Sequence, residues 1–135
     1  MTNKKNLLFA LFPVFLFASC VITDPSSTTV IEISNSSSHN LRLSFERVNY
    51  SSYYLFDTDI NKNQSVSVEE SSNGAVIAYD PNFELKSVKF SNLDTGAAIV
   101  EKPAKGLFAF KSGTKIPTGG ENAVYVLEIT DKMLE

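Results

Sequence analysis

Apolar residues recur at every second position along most of this chain, and that period sets the class of fold open to it. Ile31 and Ile33 share one side of the segment Val30-Ile31-Glu32-Ile33. Leu41, Leu43 and Phe45 alternate with Arg42, Ser44 and Glu46. Val66 and Val68 alternate with Ser65, Ser67 and Glu69, and Val88 and Phe90 with Ser87, Lys89 and Ser91. Phe108 and Phe110 flank Ala109, and Tyr125, Leu127 and Ile129 alternate with Val126, Glu128 and Thr130. Successive side chains of an extended strand point to opposite faces, so each of these segments has one dry face and one wet face. Tyr53 to Thr58 and Ala75 to Tyr79 alternate less and read as strands covered on both sides. Ala98 to Val100 reads as a short strand. No stretch carries the 3.6-residue period of a long amphipathic helix, although Asp131 to Glu135 suits a single turn.

The strand centres follow one another every 10–12 residues or so, the spacing of an antiparallel sandwich or barrel. Turn residues fall between them. Asn35-Ser36-Ser37-Ser38-His39-Asn40 separates the first two strands, and Ser71-Ser72-Asn73-Gly74 and Leu93-Asp94-Thr95-Gly96 separate later ones. The expected fold is all-β: an antiparallel β-sandwich of eight or nine strands, immunoglobulin-like or of a similar Greek-key type. A small barrel is the alternative, because period two describes both. The expected domain is residues 30–131, followed by a tail over 132–135.

Composition narrows the function. The chain has 135 residues, 12 Lys+Arg against 15 Asp+Glu, one His, one Cys and no Trp, with a formal charge of −3. One domain fits that length. A net negative charge argues against nucleic acid as a partner. A single cysteine excludes an internal disulfide framework, and a single histidine excludes a multi-histidine metal centre within one chain.

The first twenty residues read as an address. Lys4 and Lys5 precede an apolar run, Leu7 to Ala18, broken only in character by Pro13. As a helix that run reaches roughly 18 Å, against a hydrocarbon core of about 30 Å. It is too short to span a bilayer and suits the apolar region of a secretory signal. Ala18 and Ser19 are small, and Cys20 follows at once. Leu16-Phe17-Ala18-Ser19-Cys20 resembles the lipobox of bacterial lipoproteins, with Phe17 and Ser19 where the common pattern has Leu and Gly or Ala. In this it is similar to the looser lipoboxes of spirochaetes. The resemblance implies a signal peptide over 1–19, a fatty-acylated Cys20 at the mature amino terminus, and a membrane held through that anchor. Val21, which is not aspartate, permits sorting to the outer membrane by the same resemblance. Thr23-Asp24-Pro25-Ser26-Ser27-Thr28-Thr29 then reads as a flexible tether over 20–29. Without residues 1–19, 116 residues remain, and loss of Lys4 and Lys5 takes the charge from −3 to −5.

Three segments of the mature part, Ile31 to Ser37, Val88 to Gly96 and Leu127 to Asp131, are similar in pattern to small surface lipoproteins of spirochaetes. That resemblance implies no activity.

Residues suited to chemistry are few. His39 sits in a Ser/Asn-rich turn with no apolar shelter, a poor platform for a catalytic base. Asp57 and Asp59 share a strand side and suit either a calcium site, which takes six to eight oxygens, or the end of a strand. Lys102, Lys105, Lys111 and Lys115 suit either an anionic partner or edge strands protected against pairing. Tyr50, Tyr53 and Tyr54 form the densest aromatic group and are the expected recognition surface for a protein or glycan, with core packing as the alternative. No catalytic residue, cofactor or metal ligand is expected. The expectation is a non-enzymatic envelope lipoprotein whose sandwich binds a protein, a glycan or an envelope component. A subunit of a surface assembly, or an extracytoplasmic enzyme or inhibitor, are the other classes.

Overall fold

A computed structural model describes residues 25–48, 56–73, 78–116 and 119–135. Within them lie eight strands: β1 (Ser26–Asn35), β2 (Leu41–Arg47), β3 (Phe56–Ile60), β4 (Ser65–Asn73), β5 (Leu85–Asn92), β6 (Ala98–Pro103), β7 (Ala109–Lys115) and β8 (Glu121–Ile129). A four-residue helix, α1 (Pro81–Glu84), precedes β5, and a 3-10 turn (Asp131–Leu134) closes the chain. One sheet has the order β4-β1-β8-β7 and the other β3-β2-β5-β6. These are two separate sheets packed face to face, so the protein is a β-sandwich and not a barrel.

All pairs are antiparallel except β1 with β8, which run parallel with Ile31 opposite Tyr125 and Ile33 opposite Leu127. The core lies where the dry faces meet. Ile31 and Ile33 from β1 and Leu127 and Ile129 from β8 face Leu41, Leu43 and Phe45 from β2 and Val88 and Phe90 from β5, all fully buried. Each such side chain contributes about 1.5–3 kcal/mol by leaving water. A one-residue slip in any of these strands would turn its apolar set outward, which is how alternation fixes register.

The structure moves both expected boundaries of the domain. β1 begins at Ser26, so Ser26 to Thr29, read as tether, are strand and pair with Glu70 to Asn73. The dry face there is polar, which hid it: Ser27 and Thr29 are buried beside Ile31 and Ile33. Their hydroxyls meet backbone instead of carbon. Ser27 Oγ accepts from the Glu121 N–H at 3.0 Å, and Thr29 Oγ1 donates to the Tyr79 carbonyl at 2.8 Å. At the other terminus Leu134 is buried against the core, so the closing turn belongs to the packed body.

The expected strand over Ala75 to Tyr79 lies partly outside the described residues; Ala78 to Asp80, which are described, are not strand. They lead into α1. Asp80 caps it, its Oδ1 accepting from the Asn82 N–H at 2.9 Å, and Pro81 opens the first turn. Phe110 is a further correction. Alternation pairs it with Phe108 on the dry face. Phe108 is buried, but Phe110 is 62% exposed. β7 is an edge strand with a bulge between Phe110 and Ser112, and at its rim the Phe110 ring lies over Gly113 and edge-on to Tyr125 at 5.5 Å.

The two ends of the sandwich differ. At one end a single side chain ties the sheets together. Asn35 is 1% exposed, and its Nδ2 donates to the carbonyls of His39 at 2.8 Å and Ile60 at 3.3 Å. Its Oδ1 accepts from the Ser37 N–H at 3.0 Å and the Ser37 hydroxyl at 2.6 Å. Its backbone bonds Gln64 and Asn63 of the β3–β4 turn, where Asn63 adopts a φ of 58°. The opposite end is where β1 begins, at Ser26, and where β2 finishes and β5 starts.

Asn35→Ala strands the buried Ile60 carbonyl, the part-buried His39 carbonyl and two Ser37 donors at once. It should cost about 2–4 kcal/mol, read as a fall in the urea midpoint at unchanged slope. A loss below about 0.5 kcal/mol would mean that the node is not what joins the sheets.

Candidate functional site

Four of the sequence-predicted site residues, Cys20, Tyr50, Tyr53 and Tyr54, lie outside the described residues. His39 stands exposed in the turn between β1 and β2, and it is its carbonyl, not its ring, that Asn35 engages. Asp57 and Asp59 do share a side of β3, but Asp59 is taken by Arg42 of β2 across the sheet, at 2.7 Å from Nε and 3.0 Å from Nη2. The Arg42 hydrogen bond holds the Asp59 carboxyl below its usual range. Among the described residues no three His, Cys, Asp or Glu side chains converge as a metal site. Of the four lysines, Lys102 lies on β6 and Lys111 and Lys115 on β7, the two edge strands of that side, while Lys105 lies in the connection between them.

The outer faces of the two sheets have opposite characters. That of β3-β2-β5-β6 is ionic. Beside the Arg42–Asp59 pair, Glu46 of β2 accepts from Lys86 at 3.0 Å and lies 4.0 Å from Lys89, which is also 4.0 Å from Glu101 of β6. The Ser87 hydroxyl, buried among them, donates to Glu101 at 2.5 Å. The Lys86 hydrogen bond keeps the Glu46 carboxyl below its ordinary range. Two carboxylates thus flank one serine, but a carboxyl held ionised in this way is the reverse of a general acid, which needs its pKa raised.

The outer face of β4-β1-β8-β7 is mostly hydroxyl and valine. Val30, Val124 and Val126 are half-buried on β1 and β8, with Ser34, Ser65 and Ser67 beside them. One ion pair crosses this face, from Lys111 Nζ of β7 to Glu32 Oε2 of β1 at 2.6 Å. Between β4, β1 and β8 lies an open groove of about 250 Å³, with Glu32, Ser34, Ser65 and Ser67 as its polar lining and Val66 and Val126 as its apolar lining. That is below the roughly 300–1,000 Å³ of pockets that enclose a small molecule. It has room for one side chain or one sugar ring, offering hydroxyls, a carboxylate and an apolar wall.

The Ser26 end is built around α1. Asn82 locks it to the β6–β7 connection: Oδ1 accepts from the N–H groups of Gly106 and Phe108, each at 3.0 Å, and Nδ2 donates to the Phe108 carbonyl at 2.9 Å. The Val48 N–H, just past β2, donates to the Glu84 carbonyl at 3.0 Å. Val48 and Phe83 consequently flank the same segment, and they are 50% and 68% exposed. Behind them Arg47 pairs with Glu70 of β4 and lies 5.5 Å from the centre of the Tyr79 ring. Sequence reasoning missed α1, although Asp80-Pro81 is a helix-start signature that was there to be read.

No family model matches the chain, and neither a curated protein nor a solved structure does.

Burial pushes the phenols of Tyr79 and Tyr125 up to about 12 from 10.0, with the Asp80 carboxylate adding to the effect at Tyr125. A raised folded-state value means that the folded chain holds these protons longer. Their contribution is complete below pH 10.0, the unfolded value, and is lost as pH rises towards about 12. In an ultraviolet titration the Tyr79 and Tyr125 phenols should ionise late and return to the ordinary tyrosine range in urea. Tyr125→Phe should flatten the alkaline fall in stability; an unchanged slope would show that Tyr125 is not responsible.

Proposed function

We propose that this chain is a membrane-anchored bacterial envelope lipoprotein, not an enzyme, whose β-sandwich is held by acyl chains on Cys20 and binds a protein, glycan or envelope component. The observation that carries the reading is the order of the amino terminus. Lys4 and Lys5, the apolar run Leu7 to Ala18, the small residues Ala18 and Ser19 and then the sole cysteine stand in sequence. β1 begins only six positions after Cys20. An exposed thiol so close to the fold, outside the cytoplasm, would be open to oxidation, and acylation removes it. One acyl chain holds a protein marginally and two or three hold it stably. The outer membrane or cell surface is the location we assign.

For the partner, the hydroxyl and valine face of β4-β1-β8-β7 is the better surface, because its groups are less committed to one another than the ion pairs of the other face. Its groove suits a single sugar ring or a partner side chain.

The test is detergent extraction followed by mass spectrometry of the amino-terminal peptide. The expected peptide starts at Cys20 and carries fatty acyl mass, and Cys20→Ala should leave the signal uncut and the product without acyl label. A mature chain that starts elsewhere with a bare thiol would falsify the anchor. Val126→Glu, on the half-buried outer face, should leave the fold intact and weaken any partner that co-purifies by about tenfold or more, the scale of one contact residue.

A further inference from the structure

We infer that the Ser26 end of the sandwich is seated on the bilayer, with Val48 and Phe83 entering the boundary between headgroups and acyl chains. The inference rests on the reading of Cys20 as the acylated terminus and adds to it the orientation of the body.

The first support is reach. Six peptide steps separate Cys20 from Ser26, and at no more than about 3.5 Å each they span at most roughly 21 Å. Cys20 sulfur carries the acyl chains, so its own Cα lies at the membrane surface. The end of the sheet where β1 starts is therefore held within that distance of the lipid. The far end, where Asn35 closes the strands, lies a further nine residues along β1, about 30 Å away.

The second support is where the exposed carbon lies. Val48 and Phe83 are two of the three large apolar side chains exposed among the described residues, and both lie at the near end. The far end presents Ser36, Ser38, His39, Lys62, Asn63, Asp94 and Thr95, all exposed and all polar, whereas at the near end the exposed charges Glu84, Lys86 and Lys105 stand beside Val48 and Phe83, the mix of charge and carbon that a headgroup boundary accepts. A free body in water gains nothing from this asymmetry. A body tethered at one end gains by burying the carbon on that end, and the tether turns a weak contact into an intramolecular one.

The third support is the backbone behind those side chains. Amides that enter lipid without partners are costly. Here the Val48 N–H is taken by Glu84, and the N–H groups of Phe83 and Glu84 are both taken by the Asp80 carbonyl at 3.0 Å. Both side chains can enter the interface with their donors already satisfied. In this seat the long direction of the sheets points away from the bilayer, and the groove on the β4-β1-β8-β7 face opens sideways to solvent.

The chain has no tryptophan, so a single introduced indole reports its own surroundings. The full lipidated protein is reconstituted in phosphatidylcholine vesicles, plain or brominated on the acyl chains. Phe83→Trp and, as a second reporter, Val48→Trp should emit at shorter wavelength than Lys62→Trp and be quenched several-fold more strongly. The depth they report should be about 5–10 Å into the boundary. If the amino-terminal peptide carries acyl mass but both reporters match Lys62→Trp, the seat is wrong and the anchor stands. If the peptide carries no acyl mass, the anchor reading fails and takes the seat with it.

Discussion

The carboxamide of Asn35 holds the place where this chain changes sheets. β1 ends there, β2 starts six residues on, and the last residues of β3 and β8 come to the same spot. Crossing between layers exposes backbone groups that no ladder can satisfy, and each would cost free energy if it were buried unpaired. A side chain with two donors and two acceptor positions can serve several of them at once. Asn35 does so with His39, Ile60 and Ser37, while Ser36 bonds Ile129 at 2.8 Å and Asp131 accepts from Ser38 at 2.8 Å and 2.9 Å. Leu41, Leu43 and Phe45 lie fully buried while the polar work of the crossover is done at the rim of the core.

Much of this was legible in the residue order, and the parts that were not have physical reasons. Leu41, Phe45, Val88, Phe90, Leu127 and Ile129 announce buried faces because strands have a period of two. Ser27 and Thr29 occupy the same phase on β1 and were unreadable, since what buries them is the backbone of Tyr79 and Glu121, far away in sequence. The parallel pairing of β1 with β8 was equally hidden, because alternation states which face is dry and not which strand lies alongside. Phe110 had the right phase but stands at a rim where no opposing layer covers it.

The candidate surfaces divide in the same way. Asp57 and Asp59 were visible as a pair from their spacing, yet only the fold shows Arg42 opposite Asp59. The groove could not be seen in the sequence at all, since it draws on β1, β4 and β8, which are separated by dozens of residues. The proximity of Val48 and Phe83 depends on a backbone bond between the end of β2 and α1. Asp80-Pro81, by contrast, is a local signal that alternation drew attention away from.

The first strand of this fold is an interior strand, with β4 on one side and β8, the last strand, on the other. Ile31 therefore waits for Tyr125 before its second edge is covered. A polypeptide wired in this manner cannot complete its leading sheet until its last strand is present; residues far apart in sequence must meet first, at a cost in loop closure.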